Sequence, residues 1–135
     1  MAIQPLEIDA PLQRRLDRLG LEFQVDFLSA QISRQPDHVS SLVDLGHVLT
    51  QLGRYREGLR IDLRLSELLP DEPTVHYNLA CSQALVGDLD RAFAALERSI
   101  QLGYDDLDFL RDDEDLAPLR QDPRFEALLT RLETC

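Results

Sequence analysis

The sequence contains no lysine and no tryptophan, and its only cysteines are Cys81 and the terminal Cys135. Two cysteines cannot form a disulfide framework, so a reducing, cytoplasmic location is expected. No apolar run approaches the roughly 20 residues of a membrane span, so no membrane partner is expected. The opening "MAIQPLEIDAPLQRRL" has neither an early basic cluster followed by an apolar block nor a cleavage-like site, and it is not read as a secretion signal. Clustered positive charge is missing too: the net charge of −11 argues against nucleic acid, whose phosphates need neutralising. Glycine-rich phosphate loops, Ser/His/Asp signatures and paired-cysteine zinc motifs do not occur, so neither cofactor nor metal is expected. The acidic run "DDLDFLRDDEDL", 105–116, lacks the glycine and the terminal glutamate of a calcium loop.

What the chain does contain is helical periodicity, with glycine and proline between apolar stripes and no alternating strand pattern. Its 135 residues suit one domain. Sliding the sequence against itself by 34 positions aligns Leu45-Gly46 with Leu79-Ala80, Gly53 with Gly87, Tyr55 with Leu89, Gly58 with Ala92, Leu59 with Phe93 and Leu68 with Leu102. A fixed period of this length marks stacked helical hairpins, none of which can cover its own apolar stripe alone.

These residues resemble the tetratricopeptide repeat, with a leucine and small residue in the first helix and a glycine turn. An aromatic or large apolar residue and then a small one follow in the second helix, often with a closing proline. Leu45, Gly46, Gly53, Tyr55, Gly58 and Pro70 carry the pattern in the first copy, and Leu79, Ala80, Gly87, Leu89 and Ala92 in the second. The second copy departs at its end, with Tyr104 in place of proline, and Leu42 and His76 stand where a tryptophan is usual. The stretch from "YNLAC" to "LRQDPRF" also resembles a C-terminal module of bacterial tetratricopeptide proteins. The resemblance implies an all-α fold, a right-handed superhelical stack of antiparallel helical hairpins. Gly46 and Gly58, like Ala80 and Ala92, are small enough to let paired helices approach closely.

The expected organisation is a degenerate leading hairpin over 1–37, repeat one over 38–72, repeat two over 73–106 and capping helices over 107–135. The leading hairpin is drawn from Leu12, Leu16 and Leu19 before Gly20, then Leu21, Val25, Leu28 and Ile32 on one later face, with Phe23 and Phe27 beside it. Asp122-Pro123 reads as the start of a final helix.

In tetratricopeptide domains the first helices line a concave groove, which makes Val43, Asp44, His47, Tyr77, Asn78 and Cys81 the candidate ligand-contacting residues. An asparagine suits an extended chain because its amide both donates and accepts. None of the groove positions Ser40, Val43, Asp44, His47, Thr74, Tyr77, Asn78 and Cys81 is cationic at neutral pH, so a clamp for a terminal carboxylate is not expected. Arg56, Arg60 and Arg64 step along the second helix of repeat one, with Glu57, Asp62 and Glu67 near enough to offset them; this stripe is the alternative binding surface. Cys81 has no evident cation or base beyond His47, the equivalent residue one repeat earlier, and reads as a small hydrophobe.

The expectation is therefore a non-catalytic scaffold or adaptor that holds a neutral or basic peptide or helix of a partner protein. A self-associating structural protein is the alternative, and a cysteine-dependent enzyme using Cys81 and His47 ranks below both.

Overall fold

The computed structural model describes residues 8–134; the first seven residues of the expected leading hairpin, and Cys135, lie outside them. Among the described residues the chain is all-helical, with no strand. α1 (Ala10–Arg34) begins where the Asp9 carboxylate accepts from the Leu12 amide at 2.9 Å, with Pro11 in the first turn. It runs without a break through Gly20, so the hairpin expected over 1–37 is, within the described residues, one long helix. The reason is local. Gly20 keeps a negative φ, and no capping side chain or proline follows it to start a second helix. A mid-helix glycine costs about 1 kcal/mol relative to alanine, too little to stop a helix anchored further on. That anchor is Leu21, Val25, Leu28 and Ile32, which pack on Leu45, Val48 and Leu49.

Two helical hairpins follow. α2 (Val39–Gln51) and α3 (Tyr55–Leu68) are matched 34 positions later by α4 (Pro73–Leu85) and α5 (Leu89–Gln101). The turns match as well. Gly53 and Gly87 have φ of 76° and 87°, the left-handed region that only glycine enters without steric cost. Around each, the glycine amide and the next one reach back to orphan helix carbonyls: Gly53 to Thr50 (3.0 Å) and Arg54 to Leu49 (2.9 Å), then Gly87 to Ala84 (3.0 Å) and Asp88 to Gln83 (2.9 Å). The hairpin is antiparallel by its contacts, since Thr50 faces Gly58 while the earlier Gly46 faces the later Asp62. A Cβ at Gly58 would lie 3.8 Å from the Gly46 carbonyl oxygen, so the two small residues do meet. In the second hairpin Ala80 and Ala92 are fully buried in one cluster.

Successive helices pack on one another, α1 on α2, α2 on α3, α3 on α4 and α4 on α5. Beyond α5 the chain turns at Gly103 and forms α6 (Leu107–Asp112), a 3-10 turn (Glu114–Leu116), α7 (Ala117–Arg120) and α8 (Pro123–Glu133). Aspartates cap three of these starts: Asp106 accepts from Phe109 (3.1 Å), Asp113 from Asp115 (3.0 Å) and Asp122 from Arg124 (3.0 Å). The acidic run is thus helix punctuation. Its interleaved Leu110 and Leu116 are wholly buried with Leu119, Phe125, Leu128 and Leu129, and together they cover the end of the second hairpin. Arg124 lies over the Phe93 ring at 4.4 Å and pairs with Asp90 and Asp122, fastening α8 to α5.

Candidate functional site

A groove of about 770 Å³ runs along α2 and α4, with α3 residues at its floor and the α6 region at one end. Five of the six sequence candidates line it, namely Val43, His47, Tyr77, Asn78 and Cys81. Asp44 does not; it lines a separate shallow cleft between α1 and α2 with Phe23 and Phe27. The groove also takes in residues that the repeat pattern does not single out: Asp62, Ser82, Tyr104, Phe109, Asp113 and Asp115.

Tyr77 is not a free contact residue. It is only 3% exposed, stacked on Tyr104 with ring centroids 4.5 Å apart, and its hydroxyl donates to the Asp113 carboxylate at 2.6 Å. Burial, reinforced by Asp113, raises its pKa well above the usual phenol range. The helix after Gly103 returns over the groove end and seals this ring in, which a pattern confined to the repeat could not foretell. Asn78, by contrast, is half-buried, and Val43 and His47 stay accessible beside it.

Cys81 is buried, with its Sγ 3.8 Å from the Asp113 carboxylate. Desolvation pushes the thiol pKa up, and the negative charges of Asp113 and Asp115 push it further. These are the reverse of the conditions that activate a nucleophilic thiol, which needs a nearby cation or helix N-terminus. Among the described residues no group of three or more His, Cys, Asp or Glu side chains is placed to hold a metal ion.

Asp62 is the least expected member of the site. In the sequence it stands as an offset to the Arg56, Arg60 and Arg64 stripe; instead it turns inward, 8% exposed, and accepts a hydrogen bond from the Ser82 hydroxyl across the α3–α4 contact. Its counterpart 34 positions on is Leu96, wholly buried. Burial raises the Asp62 carboxyl to about 6, against the opposing pull of Ser82 and the His47 ring. A Cβ on residue 46 would lie 3.4 Å from Asp62 Oδ1, so the glycine leaves room for this carboxylate. The arginine stripe itself is solvated: Arg64 pairs with Asp37 and Glu67, and Arg54 with Glu57. Such exposed pairs contribute little, each about 0–1 kcal/mol.

Electrostatically the groove has one sign. Asp62, Glu72, Asp113 and Asp115 line it and no arginine does; His47 is its one basic side chain among the described residues. Apolar surface from Val43, Leu65, Leu69, Val75, Leu85 and Phe109 alternates with these carboxylates, and Phe109 is 53% exposed.

No protein-family model matches the chain. It is similar to a chloroplastic protein of Arabidopsis thaliana, at 31% identity over 87 residues. That stretch is 60% of this chain, and the chain spans a quarter (25%) of the relative's length. No helix among the described residues is long and apolar enough to cross a membrane.

Proposed function

We propose that the chain is a non-catalytic interaction module of tetratricopeptide type. Its groove takes a short segment of a partner protein that carries apolar side chains and at least one basic one. The observation that carries this reading is the groove's composition: an apolar bed interrupted by four carboxylates and free of arginine. Such a surface attracts a cationic segment and repels an acidic one. The hairpins repeating at a 34-residue offset support the family reading, and the half-buried Asn78 amide is suited to pairing with a ligand backbone. Holding the Cys81 thiol neutral and buried supports a packing role for it rather than catalysis. A reducing compartment suits a chain that carries a free thiol in its core.

The test is selection of random peptides displayed on phage against the intact chain, with the Asn78→Arg variant as the control. Asn78 is half-buried at the groove lining, so that variant brings a like charge to the ligand site while the helix stays intact. Enrichment of Arg- or Lys-containing apolar peptides by the chain, lost in the variant at unchanged helicity, supports the reading. Enrichment of acidic peptides, or equal recovery on both proteins, overturns it.

A further inference from the structure

The long helix α1 has two apolar faces, and among the described residues only one of them is packed. At 100° per residue, Leu21, Val25, Leu28 and Ile32 cluster on the side against α2. Leu12, Leu16, Leu19, Phe23 and Phe27 cluster on the opposite side, exposed by 42%, 45%, 61%, 71% and 62%. Fully covering those five side chains would remove roughly 500 Å² per copy, or about 1,000 Å² for a pair, the size at which specific association begins. Patches of this kind on a single chain mark interaction surfaces.

We propose that this face is covered by the same face of a second copy, the two α1 helices running antiparallel about a twofold axis between Leu19 and Gly20. Three observations select that occupant. First, the face is self-complementary in this register: Leu12 falls opposite Phe27 of the other copy, Leu16 opposite Phe23, and Leu19 opposite Gly20, so the smaller leucines meet the larger aromatic rings. Second, charge along the helix is polarised. Arg14, Arg15 and Arg18 outnumber Asp17 in the first half, and Glu22 and Asp26 outnumber Arg34 in the second. Antiparallel pairing brings Arg15 between Glu22 and Asp26 of the other copy, whereas parallel pairing sets like charges together. Among the described residues neither Arg15 nor Asp26 has an ion-pair partner within its own chain. Third, among the described residues nothing lies within 4 Å of a Cβ placed on Gly20, so they give no packing reason for a glycine there, while a helix crossing at that point does. At one edge of this face Phe23 and Phe27 also border the shallow cleft against Asp44 and His47 of α2, so the second copy would lie beside that cleft. An isologous contact of this kind closes at two copies.

The test is sedimentation of the full chain over a wide concentration range. It is expected to show a species of twice 15.4 kDa that Phe23→Asp dissociates, weakening association on the order of 100-fold with helicity unchanged, since the residue is exposed in the single chain. Register is read separately in a Cys135→Ser background. Leu19→Cys oxidises to a cross-linked pair, whereas Leu16→Cys cross-links only when mixed with Phe23→Cys. A monomer up to about 100 μM overturns the proposal. So does ready cross-linking of Leu16→Cys to itself, which would mean parallel helices, and so does a monomer whose α1 face adsorbs to lipid vesicles.

Discussion

Replacing Asp62 by asparagine should stabilise the chain, and should do so only where the carboxylate is charged. Burial lifts this carboxyl from 3.8 to about 6. Two pH units at 1.36 kcal/mol each come to about 3 kcal/mol of preference for the neutral form in the folded state. Below about pH 4 the group is protonated in both folded and unfolded chains, and its ionisation costs the fold nothing. Between about pH 4 and 6 the folded chain binds the proton while the unfolded chain releases it, so stability falls as pH rises through that window. Above about pH 7 both forms are ionised and the folded chain bears the whole cost. Asparagine keeps the shape and an oxygen to accept from Ser82, without the charge. The measurement is urea unfolding of both proteins at closely spaced pH values. The expected difference is near zero at pH 4, grows toward pH 6, and levels at about 2–3 kcal/mol above pH 7, or roughly 10 °C in midpoint temperature. Titrating groups that do not interact with Asp62 are common to the two proteins and cancel. A difference that does not change with pH, or a variant less stable at pH 7, would refute the claim that this side chain is desolvated and strained in its charged form.

Two further substitutions probe the scaffold. Gly58→Ala is expected to stabilise by roughly 0.5–1 kcal/mol, because a Cβ there meets nothing nearer than Thr50 Oγ1 at 3.5 Å and Ala92 already fills the equivalent position. A loss of stability in thermal unfolding would mean the α2–α3 contact is too tight to admit a methyl group. Tyr77→Phe deletes the 2.6 Å bond to Asp113 while keeping the ring stack, and should cost about 1.5–3 kcal/mol in urea unfolding. In a Cys135→Ser background it should also quicken labelling of Cys81 by a thiol reagent; an unchanged rate would show that this bond does not hold the groove end closed.

Much of the architecture could be read from residues alone, because it rests on local chemistry. Gly53 and Gly87 are turns for a reason legible in one letter, and their spacing, repeated in four helices, gives the hairpin register. Asp122-Pro123 announces α8 in the same way. The long α1 was not legible. A glycine after a leucine stripe reads as a stop, and only the packing of Leu21 to Ile32 decides that the helix continues. The site was legible in part. Val43, His47, Asn78 and Cys81 come from a position in the repeat, but the burial of Tyr77 depends on α6 and its following turn folding back, a contact across 36 positions. Asp62 had a signal that was missed. Setting it beside Leu96 at the repeat offset places a carboxylate where the second copy has core.

The apolar interior is unevenly shared. Among the described residues, fifteen buried side chains knit α4, α5 and the capping helices into one cluster, whereas four join α1 to α2 and three join α2, α3 and α4 around Leu42. Local opening is easiest where buried contacts are fewest. The two walls of the groove therefore differ in stiffness: the α4 wall, clamped by Tyr77 and Asp113, is a fixed jaw, and the α2 wall is a yielding one.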